Sequence, residues 1–143
     1  MGCMIRSTET NQTALQKAKM PVIFLSPYPA LLPKDHICLD LNLFLAERIS
    51  AVPEEQRCYR ITDEIRDLLY NDPYPVFLDR YEMLFSPSYQ LNVLRLFADI
   101  ARVRPFYTQW PGYCRQSALI YAEPGDPEYR NYHITDHDVI VVL

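Results

Sequence analysis

Apolar residues in this chain gather in short continuous runs separated by proline, and between the runs they recur at helical spacing. Val22-Ile23-Phe24-Leu25 lies between Pro21 and Pro27, the pattern of a strand buried on both faces. Further runs at Ile37 to Leu41, Pro75 to Asp79, Phe106 to Trp110, Ala118 to Tyr121 and Val139 to Leu143 read as strands too. A helix is expected over Asn42 to Ser50, with Leu43, Ala46 and Ile49 on one face. Pro53-Glu54-Glu55 opens a longer one, its acidic first turn suited to the helix dipole and its stripe formed by Ile61, Ile65, Leu68 and Leu69. Ser86 and Pro87 supply a cap and a first-turn proline for a third helix, which buries Leu91, Leu94, Phe97, Ala98 and Ala101. Strands alternating with helices predict an α/β domain: a mostly parallel sheet with helices on both faces.

Residues 1–12 are polar and read as a flexible tail, followed by one or two helical turns from Thr13 to Lys19, so residues 13–143 form a single expected domain. The stretch from Glu123 to Asp138 shows no periodicity and reads as a polar excursion. Asp40, Asp79 and Gln109 all fall where strands end. In a parallel sheet this places them along one rim, where active groups of such folds gather.

Composition narrows the classes. The 143 residues are 49% apolar and 22% charged, with a net charge of −4 and a pI near 5.3. No basic run is present, so a nucleic-acid surface has to be assembled from scattered arginines. Cys3, Cys38, Cys58 and Cys114 show no metal spacing and are expected as reduced thiols of a cytoplasmic protein. No apolar run approaches the ~18 residues of a membrane span. Eleven tyrosines suit surfaces that are half buried and half wet, either a core rim or a partner contact.

The segment from Pro75 to Phe85 carries the most chemistry. It delivers Asp79 and Glu82 at the exit of an apolar strand. One reading makes Asp79 a Mg²⁺ ligand acting through water and Glu82 the carboxylate that positions an attacking water; the other makes Asp79 a strand-end cap or ion-pair partner and Glu82 a solvated side chain. His133 and His137 stand four apart among aspartates, a zinc spacing on a helix but ordinary surface histidines near a strand start. Arg102 and Arg104 either complement a helix C-terminus or reach a neighbouring subunit. Cys114 has no partner histidine in the sequence around it.

Several strings together resemble a known family. They are Phe77-Leu78-Asp79-Arg80-Tyr81-Glu82-Met83-Leu84-Phe85-Ser86-Pro87, Leu94-Arg95-Leu96-Phe97, Ala101-Arg102-Val103-Arg104, Trp110-Pro111-Gly112, and Tyr121-Ala122-Glu123-Pro124-Gly125-Asp126-Pro127-Glu128-Tyr129-Arg130. In this order they are similar to the BrxF family, small P-loop proteins of type 3 bacteriophage-exclusion (BREX) islands, from about Val22 to the chain's end. The resemblance implies a P-loop NTPase-like fold with a Walker-B strand at Phe77 to Asp79, Mg and ATP as family ligands, and a bacterial antiphage defence complex as the setting. Where the family carries a glycine-rich Walker-A loop and its helix, this chain has Ser26 to His36. A phosphate cradle is built from backbone N–H groups, and Pro27, Pro29 and Pro33 have none; Lys34 alone cannot replace it.

The expectation is therefore a reduced P-loop NTPase-like domain that does not hydrolyse nucleotide and works by binding other defence proteins or itself. Two alternatives stand beside it: a Mg-dependent ATPase that completes its nucleotide site in an oligomer, and a DNA-binding adaptor. Loss of the Walker-A helix also strips one layer from the sheet, so another chain or the N-terminal segment should cover the bared strands.

Overall fold

The computed structural model describes residues 1–143. In chain order its strands are β1 (Cys3–Ile5), β2 (Val22–Phe24), β3 (Ile37–Asp40), β4 (Val76–Asp79), β5 (Tyr107–Gln109), β6 (Tyr113–Arg115), β7 (Ala118–Tyr121), β8 (Arg130–His133) and β9 (Ile140–Val142). The helices are α1 (Gln12–Lys17), α2 (Leu41–Ile49), α3 (Arg57–Asn71) and α4 (Val93–Ala101). Six strands form one wholly parallel sheet in the order β1-β9-β2-β5-β4-β3, and β6-β7-β8 form a small antiparallel sheet. The protein is an α/β domain with helices packed on the large sheet.

Residue alternation sorts the large sheet into two faces. On one, Ile23, Leu78 and Val141 pack with Leu41, Leu45 and Ile49 of α2, with Ile61, Ile65 and Leu69 of α3, and with the apolar side of α4. On the other, Val22, Phe24, Tyr107, Ile140 and Val142 pack with buried Leu15 of α1 and Leu31 of the strap joining β2 to β3, and with partly buried residues such as Met20, Tyr28 and Leu32. The chirality of parallel crossovers accounts for the split. Moving from β1 to β2 and from β2 to β3 the chain crosses over the second face; stepping back through β4 and β5 to β9 it crosses over the first.

The small sheet belongs to the first core. Leu119 and Tyr132 are buried there, Phe85 stacks on Tyr121 with centroids 4.0 Å apart, and Trp110 meets Phe85 edge-on at 5.6 Å. Arg130 Nη2 donates to the Phe85 carbonyl at 2.9 Å, and the Val93 N–H donates to the Tyr132 hydroxyl at 3.2 Å.

Four expectations change. Part of the expected flexible tail, Cys3–Ile5, adds to β9 as an edge strand, with the Cys3 N–H donating to the Val139 carbonyl and the Leu143 N–H to the Ile5 carbonyl. Gly2 permits this because a Cβ there would run into the carbonyls of Ile134 and His137. In α2 the buried positions are Leu41, Leu45 and Ile49, while Leu43 is 63% exposed. The helix starts one residue after β3 ends, with the Asp40 carboxylate accepting the Leu43 N–H at 3.0 Å, and this start sets the facing. For α4 the cap is Asn92, whose Oδ1 accepts the Arg95 N–H, while Pro87–Tyr89 form a separate 3-10 turn ended by left-handed Gln90. Finally, the polar excursion contains β8, in which only Tyr132 is buried.

Candidate functional site

The carboxyl ends of the parallel strands bring the sequence candidates onto one rim. Asp40 and Asp79 are partners in the β3–β4 register, and Gln109 ends β5 opposite Phe24 of β2. The connection after β2 runs toward β3 and the one after β5 runs back toward β9, over opposite faces of the sheet, so the β2–β5 boundary is the switch point at which open α/β sheets bind ligands.

What occupies that point is apolar. Phe24, Phe77, Tyr28, Leu32, Pro27 and Pro29 surround a crevice of about 80 Å³ beside Gln109. This is well below the roughly 300–1,000 Å³ of a typical ligand site. The strap offers no consecutive run of free amides: Leu25 N–H donates to the Val142 carbonyl, Leu31 to Tyr28 and Leu32 to Pro29, while Pro27 and Pro29 have no N–H and so separate the amides of Ser26, Tyr28 and Ala30. Gln12 Nε2 of α1 holds the strap through the Ala30 carbonyl at 2.8 Å. A triphosphate needs an open cradle of amide donors. These residues do not fit it, and they do not fit the Mg–ATP that the family resemblance implies.

The carboxylates are engaged within the chain. Asp79 Oδ1 accepts the N–H of Arg80, a residue turned into the left-handed region at φ 51°. Arg80 approaches Asp40 at 3.8 Å. Glu82 Oε2 accepts from Asn42 Nδ2 at 3.0 Å, Asn42 Oδ1 accepts the Met83 N–H at 3.1 Å, and the Asn42 N–H donates to the Arg80 carbonyl at 2.7 Å. Asn42, at the first turn of α2, thereby clamps the whole loop from Arg80 to Met83. The sequence carries no sign of this role, since its partners lie about forty positions away. No group of three or more His, Cys, Asp or Glu side chains converges at metal-binding geometry.

Beneath the loop, Tyr81 is 1% exposed, and its hydroxyl donates to the Gln109 carbonyl at 2.9 Å. Burial holds its phenol neutral far above the ordinary tyrosine range, with Glu82 and Asp79 adding to the effect. Buried Thr108 donates to the Leu78 carbonyl at 2.7 Å. At the edge of the sheet, Cys38 has its thiol pKa raised, by burial first and then by Asp79 and Asp40.

The other candidates separate. Arg104 turns inward: Nη1 donates to the carbonyls of Leu69 and Asp72, and Nη2 to that of Tyr74 at 2.8 Å, closing the end of α3. Arg102 stays exposed, 3.8 Å from Asp99 and 3.5 Å from Asp138. His137 donates from Nδ1 to the His133 carbonyl and accepts from Asn92 at Nε2, so the two imidazoles do not share a ligand position. Cys114 lies half-buried against the core.

No protein-family model, curated protein or solved structure matches this chain.

Proposed function

We propose that this chain is a reduced P-loop NTPase-like domain that has given up nucleotide chemistry and works by protein–protein contact, as an accessory subunit of a bacterial antiphage complex of the BREX type in the cytoplasm. The observation that carries the reading is the strap: Pro27, Tyr28, Pro29 and Leu32 fill the switch-point crevice with apolar groups where a phosphate ligand would need amides. The setting rests on the sequence resemblance. The mode of action rests on the second sheet face, where cover ends before the β3 edge and leaves Cys38 exposed.

Calorimetry with Mg–ATP and Mg–GTP at millimolar concentration should give no binding heat. The tagged chain, co-expressed with the genes of its native operon, should retain a stoichiometric partner whether or not nucleotide is added. Mg-dependent nucleotide binding that Asp79→Ala abolishes would overturn the reading in favour of an ATPase. A chain that stays monomeric and retains no operon partner would overturn the contact role.

A further inference from the structure

The outer face of the small sheet holds a cup of about 280 Å³. Its chemistry differs from that of the other large clefts. The cleft along α4 sets Arg95 and Arg102 among Asp99, Asp136 and Asp138, and those beside α2 and α3 set Arg48 against Glu64 and Arg60 against Asp63. The cup has Arg115 and His133 and no carboxylate in its lining. Arg115 makes no ion pair or side-chain hydrogen bond, and the His133 ring has no partner within the chain. In a protein of net charge −4, two unpaired nitrogen donors facing one hollow are complementary to an anion.

The strand register arranges the lining in two rows. Arg115 pairs with Ala118 and Ala118 with His133; Tyr113 pairs with Ile120 and Ile120 with Asn131. Ala118 and Ile120 are 4% and 6% exposed and form an apolar floor, because the longer side chains on either side stand above them. The first row therefore places a guanidinium and an imidazole on both flanks of a small residue, the geometry for one phosphate. The second places a tyrosine ring that is 45% exposed across from a carboxamide. Asn131 Nδ2 donates to the Tyr129 hydroxyl at 3.3 Å, which leaves Oδ1 as an acceptor for a base edge. A half-exposed ring beside a cation and an amide is the equipment of a single-strand stacking platform.

We propose that the outer face of β6-β7-β8 binds single-stranded nucleic acid, with one nucleotide seated in the cup: its phosphate over Ala118 between Arg115 and His133, its base against Tyr113 with its edge toward Asn131. This does not rest on the function proposed above, since the cup lies on the small sheet and the strap on the large one. The fold also supplies a reporter. Trp110, the single tryptophan, donates its indole N–H to the Ile120 carbonyl at 2.9 Å from directly behind the floor.

The test is titration of the full chain with a labelled oligothymidylate of about twelve nucleotides at low salt, read by anisotropy and by Trp110 emission. The expected result is saturable binding with a matching change in emission. Tyr113→Ala and Arg115→Ala, both at exposed positions, should each weaken it about tenfold while keeping the parent's melting temperature. Arg66→Ala, on α3 and outside the cup, should leave it unchanged. Absence of saturable binding, binding without a change in Trp110 emission, or equal weakening by Arg66→Ala would overturn the proposal. Thymidine monophosphate binding as tightly as the oligomer would overturn it too, by making the ligand a free nucleotide.

Discussion

Arg104→Ala separates an architectural arginine from one held ready for a neighbouring subunit. Helix α3 ends without a glycine, at Asp72 in extended conformation, so its last carbonyls depend on a partner from elsewhere. Arg104 supplies three donated hydrogen bonds, to Leu69, Asp72 and Tyr74, and adds a positive charge where the helix dipole favours one. Bonds from a charged donor contribute about 1.5–3 kcal/mol each when buried. Tyr74 is exposed and Asp72 half-exposed, so water replaces part of this, and about 1 kcal/mol per bond is the better figure. The expected loss is about 3 kcal/mol. At about 2.1 cal/mol/K per residue, a chain of 143 residues unfolds with an entropy of about 0.3 kcal/mol/K, so Tm should fall by about 10 °C. Arg104→Lys keeps the charge but not the fork, and should recover less than half of the loss. Arg102→Ala, which removes only exposed ion pairs, should move Tm by no more than about 2 °C. Scanning calorimetry reads all three. An Arg104→Ala chain melting within 2 °C or so of the parent would refute the capping argument and return Arg104 to the list of surface contacts.

Two further outcomes follow from the rim and the small sheet. Since Asp79 and Asp40 raise the Cys38 thiol beyond what burial does, Cys38 should alkylate slowly at pH 8, and Asp79→Asn should speed it by enlarging the thiolate fraction; an unchanged rate by mass spectrometry would mean that the two side chains are not neighbours. Gln116 and Ser117 join β6 to β7 with φ of 50° and 62°, a conformation that costs a non-glycine residue about 1–2 kcal/mol. Ser117→Gly should relieve this, offset in part by about 0.5–1 kcal/mol of added chain entropy, and raise Tm by about 2–3 °C; a lower Tm would count against the turn geometry.

Most of the strands legible in the sequence are well buried; β3 is the exception, read from the apolar run at Ile37 although none of its residues is fully buried. β2, β4 and β9 are mainly apolar runs bounded by proline or carboxylates, and burial on both faces of a parallel sheet demands such runs; β5, Tyr107-Thr108-Gln109, is marked instead by the flanking Phe106 and Trp110. β1, β6 and β8 were not legible because each is a half-exposed segment of three or four residues with at most one buried side chain; no period is detectable over that length. The facing of α2 is not legible in the sequence, because its register follows from the Asp40 cap rather than from the average of its apolar positions. At the rim, Asp40, Asp79 and Gln109 could be placed from strand ends alone. Asn42 and Arg104 could not, as their partners are backbone or carboxylate groups some thirty to forty residues distant.

The second face of the large sheet shows how far a short cover reaches. One register row on that face runs Ile140, Val22, Tyr107, Phe77, Cys38. The first three are buried at 7%, 1% and 3% exposure beneath α1 and the strap, Phe77 is half-buried and Cys38 exposed. A six-residue helix and one turn of strap thus seal the sheet over β9, β2 and β5 and stop at β4. The open remainder is small, and at about 25 cal/mol per Å² a single aromatic edge cannot drive association by itself. The next row on the same face ends in Asp79 and Asp40, of which only Asp40 has a cation nearby, at 3.8 Å. A partner seated here therefore gains from an apolar side chain on Phe77 only if it also brings a positive group to Asp79. Its affinity should then weaken with rising salt as well as with Phe77→Ala, which is the signature to seek in any complex recovered from the operon.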